Sequence, residues 1–165
     1  MLRRARPEDA EEVAEVFLAA RVGMEYLPRL HSDEATRTYF AGVVRERETW
    51  VAEANGAVAG VAALADDELE HLYVRPESHG QGIGTLLPEQ AKRRRPEGFR
   101  FWLFQQNEGA QRFYKRRGCR LIELTEGAGN EERVPDALYE WLPDTARRER
   151  RALPGRPVRV RRGRA

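Results

Sequence analysis

The stretch His79-Gly80-Gln81-Gly82-Ile83-Gly84 decides how this chain is interpreted, because three glycines alternate at a predicted junction of strand and helix. Glycine has no Cβ atom, so a ligand can approach its backbone N–H closely. The start of a helix adds unpaired N–H groups and a partial positive charge. The pattern therefore predicts a cradle for a phosphate or pyrophosphate group.

Three kinds of glycine loop resemble this stretch. A P-loop requires a Lys after its last glycine, and Thr85 follows Gly84 here. A dinucleotide-binding loop requires a G-x-G-x-x-G spacing, which from Gly80 would place the third glycine at Thr85. A glycine-rich turn without any ligand also fits the six residues alone, so the surrounding sequence has to decide.

The residues before the loop predict an antiparallel meander. Apolar runs at Trp50–Ala54 and Ala57–Leu64 are separated by Asn55-Gly56, a strong signal for a two-residue hairpin. A third strand is predicted at Glu68–Val74 and is stopped by Pro76. The meander therefore leads directly into the glycine loop.

The remaining pattern mixes strands with crossover helices, which predicts a mixed α/β sheet. Helices are predicted at 7–22, after Ser32 or Asp33, at 82–95 and at 107–117, and further strands at 2–5, 99–104, 119–124 and 137–142.

The bulk composition predicts one folded domain and a basic tail. Residues 144–165 hold nine Arg against two acidic residues, and their Pro and Gly content predicts disorder. Residues 1–143 are the predicted folded domain.

The single cysteine, Cys119, excludes an intrachain disulfide. The chain has neither a signal-peptide pattern nor an apolar stretch long enough for a bilayer, so we expect a cytoplasmic protein without membrane contact.

Two motifs carry a resemblance to a known family. The stretch Leu72-Tyr73-Val74-Arg75-Pro76-x-x-His79-Gly80-Gln81-Gly82-Ile83-Gly84-Thr85-Leu86-Leu87 resembles the acetyl-CoA motif of the GNAT superfamily of N-acetyltransferases. Gly82 and Gly84 match its two small residues, whereas His79 stands where the family usually has Arg or Gln. Residues 107–118 look like the later family motif Asn-x-x-Ala-x-x-Phe-Tyr-x-x-x-Gly.

The resemblance implies a fold and a reaction. The expected fold is a GNAT-type three-layer α/β architecture, with a mixed, mostly antiparallel sheet of about seven strands and helices on both faces. The expected reaction moves an acetyl group from acetyl-CoA directly to a primary amine in a ternary complex. The amine belongs to a small molecule or to a peptide or protein. Members of this superfamily often form homodimers, and the His and Cys residues show no metal-ligand spacing.

The resemblance also assigns cofactor contacts to the end of the third meander strand, the glycine loop and the later motif. These residues are Leu72, Tyr73, Val74, His79, Gly80, Gln81, Gly82, Ile83, Gly84, Thr85, Asn107, Phe113 and Tyr114.

Catalytic roles follow from the same resemblance. Tyr114 is expected to be the general acid that protonates the leaving thiolate. Glu68 and Glu70 are both candidates for the base, and the choice between them is open. The amine is expected to enter near Tyr26 and His31.

A rival interpretation gives the chain no catalytic activity. It is then an acyl-CoA-binding module, or a nucleic-acid-associated module whose Arg-rich tail binds the polyanion by releasing counterions. Turnover of acetyl-CoA separates these interpretations.

Overall fold

The structure is a computed structural model that describes residues 1–152 and 157–162. It divides into two compact units, Met1–Arg94 and Arg95–Ala165.

The first unit contains the predicted meander. Its strands pair antiparallel in chain order, and the hairpin residues Asn55 and Gly56 both have positive φ angles, 53° and 78°. The elements are β1 (Leu2–Arg4), α1 (Ala10–Val22), α2 (Asp33–Glu46), β2 (Glu48–Ala54), β3 (Ala57–Ala65), β4 (Glu68–Val74) and α3 (Ile83–Arg94).

Helices lie on both faces of this sheet. Val61 and Ala63 of β3 are buried in one cluster with apolar residues of α1 and α2. Gly60, on the other face of β3, lies against α3: a Cβ atom added there would be 2.8 Å from Leu87 Cδ1 and 2.9 Å from Ile83 Cγ2. The absence of a side chain at Gly60 therefore sets how closely α3 packs on the sheet.

The second unit has the strand order β5-β7-β6-β8, in which β8 pairs parallel to β6 and the other pairs are antiparallel. The predicted class, mixed α/β with a mostly antiparallel strand arrangement, is confirmed, with eight strands among the described residues. The elements are β5 (Phe99–Phe104), α4 (Glu108–Arg116), β6 (Arg120–Thr125), β7 (Asp136–Trp141), α5 (Asp144–Arg151) and β8 (Arg159–Arg161).

The basic tail contains regular structure, so the prediction of disorder is wrong for α5 and β8. Three of its described arginines have acceptors on β6, on β7 or directly after β7. Arg150 donates to the Glu140 carboxylate at 2.8 Å, Arg147 donates to the Leu142 carbonyl, and Arg161 pairs with Glu123. Residues 153–156 and 163–165, which the same prediction covered, lie outside the described residues.

Candidate functional site

Strand β4 carries both candidate bases and contains a bulge. Ala63 of β3 lies opposite His71, whereas the next residue, Leu64, lies opposite Leu69. Glu70 is therefore the extra residue, and strict alternation of side chains is interrupted around it. The negative charge of its carboxylate raises the pKa of both Glu68 and His71. These three side chains therefore lie close enough to interact electrostatically.

The two candidate bases have different surroundings. The Glu70 carboxylate accepts a hydrogen bond from Arg47 Nε at 2.8 Å and is held in an ion pair. Burial raises the pKa of Glu68 above its usual range, and the negative charges of Glu70 and Asp67 raise it further. Arg47 is 23 residues from Glu70 in sequence, so no local spacing could have predicted this pair.

His71 is packed among aromatic rings and also has a polar partner. Its Nε2 lies 2.8 Å from the Tyr39 hydroxyl, and its ring contacts those of Phe40 and Tyr73. Burial lowers the pKa of His71 to about 4, so the imidazole is neutral at pH 7. Its buried Nδ1 has no hydrogen-bond partner in the part of the chain that the structure describes.

The carboxyl end of β4 is joined to the glycine loop through a 3-10 turn at Pro76–Ser78. Tyr73 packs edge-on against Phe17 of α1, while Val74 is buried and Leu72 is partly exposed. The Val74 carbonyl lies 3.3 Å from His79 Nε2. The strand end and the loop are therefore brought together within the first unit.

The backbone of the glycine loop has the geometry of an anion cradle. Gly80 and Gly82 have φ angles of 79° and 82°, and a Cβ atom added at either position would meet no protein atom within 4 Å. The five N–H groups of residues 80–84 donate to no acceptor within the described residues. They lie at the start of α3, where the helix dipole adds partial positive charge. The loop therefore fits a pyrophosphate group.

Several loop side chains have partners of their own. His79 is directed to the Val74 carbonyl, and Gln81 Nε2 donates to the Glu77 carbonyl at 3.3 Å. The Thr85 N–H donates to the Gly82 carbonyl at 3.1 Å, and the buried Ile83 side chain faces β3. The donors available for an anion are therefore mainly backbone groups.

The later motif lies in the second unit. Asn107 caps α4, because its side-chain oxygen accepts a hydrogen bond from the Ala110 N–H at 3.2 Å. Tyr114 is 6% exposed, and its ring lies 4.5 Å from Phe101 and 5.1 Å from Phe113, measured between centroids. Phe113 is partly exposed and lies under the Arg117 guanidinium. The Tyr114 ring is thus fixed by packing.

The two residues predicted near the amine lie between α1 and α2. Tyr26 is partly buried, and burial raises the pKa of its hydroxyl against the opposing effect of Arg21. His31 is exposed, one residue before the cap of α2.

The described residues contain neither a candidate metal site nor a helix able to span a membrane. No set of three or more His, Cys, Asp or Glu side chains within 1–152 and 157–162 is arranged to hold a metal ion. Among the helices described, none has the length and apolar character needed to cross a membrane.

A sequence profile of the acetyltransferase (GNAT) domain matches residues 45–118, a range that contains β4, the glycine loop, α3 and Tyr114. An uncharacterised N-acetyltransferase of Methanocaldococcus jannaschii, MJ1207, is 27% identical over 143 residues, or 76% of this chain. The chain spans 63% of that relative's length. The peptidyl-lysine N-acetyltransferase YjaB of Escherichia coli is 26% identical over 132 residues, covering 76% of this chain and 85% of the relative.

Solved structures share the fold. Apo YjaB from Escherichia coli superposes with a TM-score of 0.72 at 23% identity, covering 87% of this chain and 97% of that one. The protein yncA from Salmonella typhimurium, solved with acetyl-CoA, gives 0.65 at 20% identity, covering 87% and 94%. Both motifs lie inside the profile match, and the chain is similar in sequence and in fold to GNAT N-acetyltransferases.

Proposed function

We propose that this protein transfers the acetyl group of acetyl-CoA to a primary amine. The observation that carries the proposal is the row of five backbone N–H groups, residues 80–84, at the start of α3. Such a row binds a pyrophosphate without a cationic side chain, which suits a loop whose His79 is directed to Val74.

The end of β4 orients the rest of the co-substrate in this proposal. The backbone of Leu72, Tyr73 and Val74 binds the pantetheine arm as a neighbouring strand would. A backbone N–H from the same segment faces the thioester oxygen and stabilises the negative charge that develops there. Asn107 adds a hydrogen bond from its side-chain amide, since its side-chain oxygen is already used in capping α4.

Tyr114 is the proposed general acid. A tyrosine with a pKa of about 10 can protonate a thiolate whose own pKa is about 8.5, while remaining protonated itself at neutral pH. The packing of its ring on Phe101 and Phe113 supports this role, because a general acid must be held in a fixed position.

Glu68 is the proposed base in preference to Glu70. A base that accepts a proton near neutral pH works best with a raised pKa, which burial gives to Glu68. The Glu70 carboxylate is already engaged by Arg47.

The proposed acceptor to test first is a lysine side chain in a peptide. Lysine carries a primary amine, and YjaB, to which this chain is similar, is a peptidyl-lysine N-acetyltransferase. Polyamines, amino acids, aminoglycosides and peptide N-termini complete the set of amines to compare.

The first test is thermal and chemical denaturation with and without acetyl-CoA. Acetyl-CoA at 100 times its Kd should stabilise the folded protein by about 2.7 kcal/mol. Gly82→Ala should abolish most of this stabilisation, because its Cβ would project into the open side of the cradle. Gly56→Ala is the matched control: it also has a positive φ and open surroundings, but lies in the β2–β3 hairpin.

The outcomes separate the rival interpretations. If the unmodified protein gains no stability from acetyl-CoA, the proposal is wrong. If acetyl-CoA stabilises the protein but none of the amines releases free CoA thiol, the chain is a binding module without turnover.

A further inference from the structure

One face of the second unit's sheet presents arginine and tryptophan side chains. Arg100 of β5 and Arg120 of β6 both lie opposite Glu140 of β7, so the three residues form a row across three adjacent strands. The other face carries Phe101 and Tyr139, which contact residues of α4. The arginine row therefore lies on the face directed away from α4.

A single buried carboxylate organises this row. Glu140, whose side chain is only 4% exposed, pairs with Arg100 at 3.2 Å, with Arg120 at 3.5 Å and with Arg150 of α5 at 2.8 Å. Three positive charges share one negative charge, so the group keeps an excess of two positive charges. The three arginine side chains are 43–51% exposed. Each guanidinium has five N–H donors, so donors remain for a second acceptor.

An exposed indole lies beside the arginines. Trp102 follows Arg100 by two residues on β5, so both side chains lie on the same face. Trp102 is 43% exposed, although tryptophan is mostly buried in folded proteins. A half-exposed indole next to guanidinium groups suits a ligand with both a flat aromatic surface and negative charge.

The second unit as a whole also carries an excess of positive charge. Residues 95–165 hold 17 Lys and Arg against 10 Asp and Glu, whereas residues 1–94 hold 12 against 17. Near the row, Arg161 of β8 is 74% exposed while pairing with Glu123. A polyanion is therefore attracted to the second unit and repelled by the acidic first unit.

We propose that this arginine face, Arg100, Trp102, Arg120 and Arg150 around Glu140, binds single-stranded RNA. The guanidinium groups contact phosphates, and an unpaired base stacks on the Trp102 indole. An acidic peptide would use the arginines but not the indole. A duplex keeps its bases stacked inside and offers no free base to Trp102. Glu140 fixes the arginines before binding, so less side-chain freedom is lost on contact.

The test measures binding of a fluorescein-labelled 12-nucleotide oligouridylate to the full-length protein by anisotropy, from 50 to 300 mM KCl. Trp102→Leu should weaken binding by about tenfold, since stacking contributes about 1–3 kcal/mol per base. Arg100→Gln and Arg120→Gln should each weaken binding and reduce the slope of log K against log salt by about 0.7. Each leaves Glu140 with two arginine partners, and a melting curve verifies folding.

The matched control is Arg45→Gln in the first unit, an arginine that is 70% exposed and paired with Glu46. It should leave both affinity and salt slope unchanged. RNA should also quench the fluorescence of the unmodified protein more than that of Trp102→Leu.

Three outcomes would overturn the proposal. The first is no binding at 50 mM KCl. The second is an equal loss of affinity in Arg45→Gln and Arg100→Gln. The third is that unlabelled polyglutamate competes as well as RNA while Trp102→Leu binds RNA normally. Acetyl-CoA stabilisation of the same samples is a separate readout, so failure here leaves the proposed acetyl transfer intact, and the reverse also holds.

Discussion

Tyr114 and Tyr139 both place their rings against Phe101, which allows a matched comparison at the scale of single hydroxyl groups. Tyr114→Phe should lower kcat by about 10²–10⁴-fold, the usual contribution of a general acid, and leave acetyl-CoA stabilisation intact. Tyr139→Phe loses the hydrogen bond to Gln111 at 2.8 Å and should cost about 1 kcal/mol of stability with little change in kcat. Steady-state kinetics and urea unfolding of both variants test this, and full activity of Tyr114→Phe contradicts the assignment.

Glu68 gives a prediction about pH. A base acts when deprotonated, and burial raises the pKa of Glu68, so kcat/KM should fall as pH drops through that raised value. In Glu68→Gln, this fall of kcat/KM on the acidic side of the pH profile (the acid limb) should be absent. Asp67→Asn removes a negative charge that raises the pKa of Glu68 and should shift the limb to lower pH. An unchanged profile in both variants would assign the base elsewhere.

At the scale of elements, the contact of α3 with β3 depends on Gly60. Gly60→Ala would bring a Cβ atom within 3 Å of side-chain atoms of Leu87 and Ile83, so these buried side chains or α3 itself must shift, with a cost of about 1–3 kcal/mol. Because the glycine loop begins α3, acetyl-CoA should also stabilise this variant less. Gly42→Ala in α2, where the nearest atom is 3.8 Å away, is the control and should raise stability by up to about 1 kcal/mol. Denaturation with and without acetyl-CoA distinguishes the two variants.

The elements also differ in how far local sequence predicts them. The β2–β3 hairpin was predicted from a dipeptide, and the cap of α2 was narrowed to Ser32 or Asp33, of which Ser32 is the cap, because both features are built from neighbours in sequence. The bulge at Glu70 could not be predicted in this way. It depends on how β4 pairs with β3, and alternation of residue types along one strand carries no information on pairing.

At the scale of the whole molecule, the buried His71 makes stability depend on pH. The pKa of His71 is about 4 in the folded protein and about 6.5 in an unfolded chain, so between these values the unfolded chain binds the extra proton. Stability should therefore fall as pH drops from 6.5 to 4, by up to about 3 kcal/mol from this residue.

His71→Gln should lose that part of the pH dependence, because glutamine has no proton to bind in this range. Urea unfolding at pH 7.0 and 4.5 measures the difference. Equal losses of stability in the unmodified protein and the variant would show that His71 does not contribute.

The candidate site was predictable in its backbone and less so in its side chains. The glycine loop was expected to be an anion cradle, and its geometry suits that role, because the ability of glycine to adopt positive φ angles is a property of the single residue. The partners of Glu70 and His71 come from α2 and its end, more than 20 residues away. The regular structure in the tail also depends on contacts with residues that are not its sequence neighbours. Composition predicted disorder, but acceptors on β6 and β7 hold Arg161 and Arg150.

The pairing of β8 with β6 has a consequence for how the protein behaves at high concentration. An uncovered strand at the border of a sheet offers its N–H and C=O groups to strands of other molecules. β8 covers β6 with only three residues, Arg159–Arg161, which are exposed and mostly charged. Short, charged border strands resist further strand addition. Arg159 and Arg161 should therefore also oppose aggregation, and a chain shortened before β8 should aggregate more readily.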